Sequence, residues 1–275
     1  MKNSDRIIIE AGKTERQYLR DLWSYHELFI FLAWRDILVR YKQTVFGVLW
    51  AIIRPFLTMV VFSVVFGKFA KMPSNGIPYP IIVYAAMLPW QFFANALQEA
   101  SNSLITNQSL ISKIYFPRII IPISSVISSL VDFLIAFVIL IGLMLYYGYY
   151  PMGRMLFLPL FLIITSLAAI GPGLYIAALN VKYRDFRYII PFFIQFGIYI
   201  SPVAYLTSTV PERWRLLYAL NPMVGVIDGF RWCILGGKNH LDFFIISFSI
   251  VIAVMMTVFG SIYFRRTERQ FADFI

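Results

Sequence analysis

Apolar residues along this chain gather into blocks long enough to cross a bilayer, set apart by short polar connections. A helix rises about 1.5 Å per residue, so about 20 apolar residues cross a hydrocarbon core of about 30 Å. Six blocks fit: Trp50–Ala70, entered past Arg54-Pro55; a stretch within Met72–Gln98 that has no formal charge; Ile119–Tyr147, which contains Asp132; a stretch within Met155–Val181, also uncharged; Tyr188–Tyr205; and Phe243–Phe264. Backbone groups cannot stay unpaired in lipid, which makes each block a helix. The pattern predicts an all-α integral membrane protein with six transmembrane helices in one domain, residues 47–265.

The connections carry their own patterns. Residues 1–24 are a charged extension with no apolar h-region, so no cleavable signal peptide is expected. Over residues 25–46, Phe31, Trp34, Leu38, Tyr41 and Val45 recur at helical spacing, and Asp36 and Arg40 stand four apart as an ion pair would. This amphipathic helix runs into the first span and is expected in the membrane interface, with Arg35, Arg40 and Lys42 near anionic headgroups. The connection Glu99–Arg118 is polar, yet Leu104, Ile105, Leu110, Ile111 and Ile114 give a short helix one apolar face suited to a partner's groove. Pro117 is placed to open the next span. Pro202–Asp242 is too apolar for a free loop, and its runs are too short to cross. It predicts two short helices, broken near Asn221-Pro222, that dip back into the membrane, with Gly225 and Gly229 allowing close contact inside that hairpin. Irregular backbone at that depth points to an aqueous path nearby. Residues 266–275 form a short tail.

Charge sets the orientation. With six crossings, seventeen Lys and Arg fall on the side of the termini and seven on the other, which places both termini in the cytoplasm. That bias accounts for the net charge of +10 without a nucleic-acid partner. With 60% apolar and 14% charged residues, the chain lacks the charge a soluble surface needs. The single Cys233 excludes an internal disulfide or a CxxC metal site.

Catalytic patterns are missing. Gly237-Lys238 has Trp232 where a phosphate-cradling loop needs its first Gly, and Gly67-Lys68 has Phe62, so no ATP hydrolysis is expected by that route. His26 and His240 fall on opposite sides of the membrane and make no metal or acid/base pair. Asp132, the one acid placed mid-membrane, is expected to anchor helices through Ser125, Ser128 or Ser129, with proton coupling as the other reading. Aromatic residues make up 18% of the chain. Phe62, Phe66 and Phe69 share a face in the first span; Tyr188, Phe192, Phe196 and Tyr199, with Gln195 beside them, share one in the fifth. Such faces serve helix packing or lipid contact, and collectively they suit the path of a sugar polymer, because C–H faces of sugars stack on rings.

Several runs resemble a known family. The stretch RDILVRYKQTVFGVLW from Arg35 to Trp50, followed by Arg54-Pro55, is similar to the N-terminal signature of ABC-transporter permeases that export O-antigen, capsule or teichoic acid. Further matches are Leu88-Pro89-Trp90, the run from Leu110 to Arg118, the run from Asn180 to Asp185, Pro211 to Trp214, and Asn221-Pro222-Met223. The resemblance implies a homodimer with a channel between subunits lined partly by spans one and five. It also implies two copies of a cytoplasmic ABC ATPase that supply ATP and Mg chemistry, with no cofactor on this chain. The family's coupling helix maps to Asn107–Phe116, with Asn107, Leu110, Ile111, Lys113, Ile114, Tyr115 and Phe116 toward the ATPase. Its gate helices map to Glu212–Leu220 and Val224–Leu235, with Glu212, Arg213, Trp214, Asp228 and Arg231 among them. The substrate implied is a lipid-linked polysaccharide, O-antigen first, teichoic acid or capsule next, in the cell inner membrane. The rivals are a drug or small-lipid exporter, a membrane transferase and a proton-coupled transporter.

Overall fold

The computed structural model describes residues 22–42, 47–74, 76–150, 153–183, 185–236, 241–268 and 271. The extension before Leu22, the distal tail, and the positions of Val45, Arg184, Lys238 and His240 lie outside the described residues. Among the described residues the chain is helical throughout, without strands. In order the helices are α1 (His26–Lys42), α2 (Gly47–Phe62), α3 (Tyr79–Thr106), α4 (Gln108–Ile111), α5 (Ile120–Tyr146), α6 (Leu158–Lys182), α7 (Phe186–Ile200), α8 (Glu212–Tyr218), α9 (Pro222–Ile234) and α10 (Phe243–Glu268). A wider π-helical turn, Ser63–Phe69, continues α2, so that Leu49–Phe69 forms one span. Five helical stretches are long and apolar enough to cross a membrane.

The sixth expected span is shorter than its apolar block. Tyr188–Tyr205 reads as continuous, but α7 stops at Ile200 after 15 residues. Ser201 turns to extended backbone, and the following Pro202 cannot donate to a helical ladder. At about 1.5 Å per residue this helix falls short of a full hydrocarbon core. Residues 201–206 follow it as irregular chain.

The bundle is organised around α3, whose Ile81–Trp90 stretch is buried end to end. It packs against α2, α5, α6, α7 and α9. Small residues permit this: Ala85, Ala86, Ala96 and Ala100 are buried on it, and a Cβ on Gly173 of α6 would stand 2.8 Å from that of Ala100. Helices α6 and α10 approach most closely where Gly171 and Gly260 meet backbone to backbone; a Cβ on Gly171 would stand 2.5 Å from the Met256 carbonyl carbon. Small residues at crossings are how membrane helices gain van der Waals contact when lipid is as apolar as the partner. Gly225 and Gly229 of α9 also make close contacts, but with Ser249 of α10 and Phe161 of α6 rather than inside the α8–α9 hairpin. The hairpin is therefore held by the bundle, not by its own pairing.

Helix α1 turns its predicted apolar stripe outward. Phe31, Trp34 and Leu38 are exposed, while Leu32 and Ala33 pack on the protein. Exposed rings on a helix that leads into a span fit a position in the interface. Its arginines depart from expectation, because both Arg35 and Arg40 point into the protein.

Candidate functional site

Arg40 reaches from the end of α1 into the bundle. Its Nη1 stands 2.6 Å from Asp132 Oδ2 of α5, and its Nη2 donates to Glu99 of α3. Tyr41 donates its hydroxyl to the other Asp132 oxygen. Neither the Ser128 nor the Ser129 hydroxyl has a hydrogen-bond partner among the described residues, and Ser125 bonds back to the Pro122 carbonyl at 2.8 Å. The serine anchors expected for Asp132 are replaced by a cation and a phenol from 92 and 91 residues away. The expected Asp36–Arg40 pair is likewise replaced: Asp36 takes Arg35 at 2.7 Å. Asp132 also shares its surroundings with a second acid. The uncharged block ends at Gln98, but α3 continues to Thr106 and carries Glu99 inside it.

A cleft of about 880 Å³ opens beside this charged cluster. Its walls include Trp50, Arg54 and Phe62 of α2, Trp90, Gln91, Asn95 and Gln98 of α3, and Gln195 and Tyr199 of α7. Phe62 is buried and stacks on Tyr199 with centroids 6.3 Å apart, joining spans one and five. Phe66 lies 5.4 Å from Phe62, whereas Phe69 is 80% exposed and points away. The π-helical turn changes the angular step per residue, which is why the three phenylalanines do not share one face. Tyr188, Phe192 and Phe196 stay together on the outer surface of α7, with Phe192 and Phe196 centroids 4.4 Å apart. Of the predicted aromatic set, Phe62, Tyr199 and Gln195 border the cleft. The polar positions of α3 were missed by reading only formal charge; Gln91, Asn95, Gln98 and Glu99 fall at helical spacing and were legible as one face.

The connection after α3 is held from three sides. Arg35 Nη2 donates to Asn107 Oδ1 at 2.5 Å, and the Tyr25 hydroxyl donates to the Tyr115 carbonyl at 3.4 Å. Arg118 donates its backbone N–H and its guanidinium to Glu268 at 2.7 and 2.6 Å. Asn107, Ile111 and Phe116 are buried, and Leu110 is half-buried. Between these anchors Lys113, Ile114 and Tyr115 project outward, with Ile114 52% and Tyr115 58% exposed. The helix itself is one short turn, Gln108–Ile111, rather than the whole predicted stretch.

On the opposite end the broken α7 is repaired by a buried arginine. Arg231 of α9 donates to the carbonyls of Tyr205 at 2.9 Å, Val203 at 3.0 Å and Ile82 at 3.3 Å. Tyr79 donates to the Ala204 carbonyl, and Asn221 Nδ2 donates to Ser201 Oγ at 2.9 Å. The bonds to Val203, Ala204 and Tyr205 satisfy carbonyls that left the helix, as irregular backbone away from water requires. Asp228, on the same short helix, accepts from the Thr207 hydroxyl at 2.8 Å. Arg231 is thus fully buried and Asp228 half-buried against the segment after α7, while Glu212, Arg213 and Trp214 of α8 stand exposed. Arg213 lies 5.8 Å over the Trp214 ring.

A many-helix membrane protein with a charged cluster under α1, an aromatic and carboxamide cleft, and a tethered, outward-pointing turn is a transport subunit in its architecture. The chain belongs to the ABC-2 type transporter family, whose model matches residues 27–235. Among its relatives is an O-antigen export system permease protein, RfbA, from Klebsiella pneumoniae, 27% identical over 250 residues, covering 90% of this chain and 95% of the relative. A second, from Myxococcus xanthus under the same name, is 27% identical over 215 residues, covering 78% of this chain and 82% of the relative. Another Klebsiella pneumoniae RfbA is 26% identical over 250 residues, with 90% and 95% covered.

Proposed function

We propose that this chain is the membrane subunit of an ATP-driven exporter that moves a lipid-linked polysaccharide, O-antigen first among the classes, from the cytoplasm to the outer face of the inner membrane. Two copies enclose a channel, and two copies of a separate cytoplasmic ABC ATPase bind ATP and Mg and supply the stroke. Both termini are cytoplasmic, residues 47–265 form the permease domain, and residues 25–46 form the interfacial element beside the ATPase. The relatives carry the O-antigen export name over nearly their whole length, which supports the substrate class.

The observation that carries the reading is the cleft. Rings and neutral amides on its walls match a hydroxyl-rich chain that must slide, because stacking on rings is tolerant of register. Lys113, Ile114 and Tyr115 serve as the ATPase docking point. Three tethers bind that turn to α1, to Tyr25 just before it and to α10, so a push on it reaches the charged cluster beneath the cleft. The exposed helix α8 and the buried α9 serve as the outer gate.

The test is deletion of the gene followed by complementation. Cells without this chain accumulate polysaccharide in the cytoplasm and lose it from the surface, and the wild-type chain with an active ATPase restores both. Normal surface polysaccharide in the deletion strain contradicts the reading. Restoration by an ATPase-dead complex would favour a proton-coupled transporter instead.

A further inference from the structure

We propose that Gln91, Asn95 and Gln98 of α3, together with Gln195 of α7, form a hydrogen-bonding track for the hydroxyl groups of the moving glycan. The inference rests on the polysaccharide reading and goes beyond it by assigning the residues that grip the sugar.

Positions 91, 95 and 98 are separated by four and three residues, so their side chains lie on one face of α3. All three border the cleft, as does Gln195 across from them. None of the four side-chain amides has a hydrogen-bond partner among the described residues, although each offers two donors and an acceptor. Near the same helix end Ser101 bonds the Leu97 carbonyl at 2.6 Å, Ser103 that of Ala100 at 2.7 Å, and Asn107 that of Ser103 at 2.9 Å, while Asn102 Oδ1 is buried without a partner among the described residues. Gln91, Asn95 and Gln98 are half-buried and Gln195 is exposed, so their amides stay within reach of an occupant of the cleft, and a polar occupant can bond them where an apolar one cannot.

The chemistry narrows the occupant. Carboxamides both donate and accept without charge, which fits the mixed donor and acceptor character of sugar hydroxyls. Of the charged groups bordering the cleft, Arg40 is engaged with Asp132 and Glu99, while Arg54 of α2 stands exposed with no ion pair among the described residues. Trp50 and Tyr199 border the same space with exposed rings and supply the flat faces on which sugar C–H groups rest, while Phe62 and Trp90 are buried behind them. An apolar lipid or drug gains nothing from the amides and strips them of water.

The experiment uses the full chain with its ATPase in cells lacking the native permease, and compares Gln91→Met, Asn95→Leu, Gln98→Met and Gln195→Met with serine at the same sites. Wild-type complementation is the control for the polysaccharide reading: if it fails, that reading fails and the track is not what failed. With the control working, each apolar variant is expected to slow surface delivery about fivefold, the scale of one lost hydrogen bond, while complex yield holds. Gln195→Met sits on the exposed side of α7, so it reads the track even where an α3 variant does not assemble. The second arm adds the cell's own glycan, freed from its lipid by mild acid, to the purified complex and follows tryptophan fluorescence, since Trp50 and Trp90 border the cleft. A saturable change that weakens about fivefold in the apolar variants supports the track. Apolar variants that export at the wild-type rate overturn it. So do serine variants that match wild type while apolar ones fail, because then the amides only wet the path.

Discussion

Arg231 spends its guanidinium on carbonyls of the segment that follows α7, with a third bond to Ile82 of α3. Replacing it by Met strips the Tyr205 and Val203 carbonyls of this donor at about 1–3 kcal/mol each, while the Ile82 carbonyl keeps its place in the α3 ladder. The expected result is a fall of several degrees in the detergent-solubilised melting temperature, with a smaller fall for Arg231→Lys, which keeps the charge but not the planar fork. An unchanged melting temperature in Arg231→Met would remove the clasp. The Arg40 cluster obeys a different logic. Asp132→Asn keeps a group that can accept from Tyr41, and Arg40 keeps Glu99, so the cost is modest, about 1 kcal/mol. Arg40→Met leaves two carboxylates side by side without their cation and costs more, about 2–4 kcal/mol. The combination Arg40→Met with Asp132→Leu is expected to recover part of that loss, and a double-mutant cycle on thermal unfolding measures the coupling. Transport is expected to continue in Asp132→Asn; its abolition there would revive proton coupling.

At the scale of elements, the most sensitive crossing is α6 on α10. Gly260→Leu puts a side chain against the Gly171 backbone, which has no flexible end to yield, and is expected to cost at least about 3 kcal/mol or to stop assembly. Gly153→Ala, where a Cβ meets open space, is the matched control and leaves the melting temperature nearly unchanged. For the tethered turn, Ile114→Asp or Tyr115→Asp is expected to release the ATPase on co-purification and to uncouple its turnover from export, while the fold persists because both side chains are exposed. Retained export would end the docking assignment. Much of this layer was legible: block length placed the spans, and a polar loop with one apolar face before Pro117 marked the turn. The early end of α7 was signalled by Ser201-Pro202 but masked by the apolar residues around it. The partners of Arg40, Asp132 and Arg231 were beyond local pattern, because each bond joins residues far apart in sequence. Asp36 lay at the right helical spacing for Arg40, and tertiary contact with α5 and α3 prevailed.

For the whole molecule, α2 and α7 leave a broad aromatic and aliphatic surface uncovered: Trp50, Phe56, Leu57, Tyr188, Phe192 and Phe196 are all exposed. In the proposed assembly this surface meets lipid, channel or a second copy, and the cleft becomes one wall of a passage between two subunits. The most direct test places the purified chain in vesicles with and without its ATPase partner and follows nucleotide consumption together with movement of labelled lipid-linked polysaccharide. The account predicts no nucleotide consumption by the chain alone, and polymer transfer only when both subunits and ATP are present. Hydrolysis by the isolated chain, or transfer that proceeds equally well without the ATPase, would contradict it.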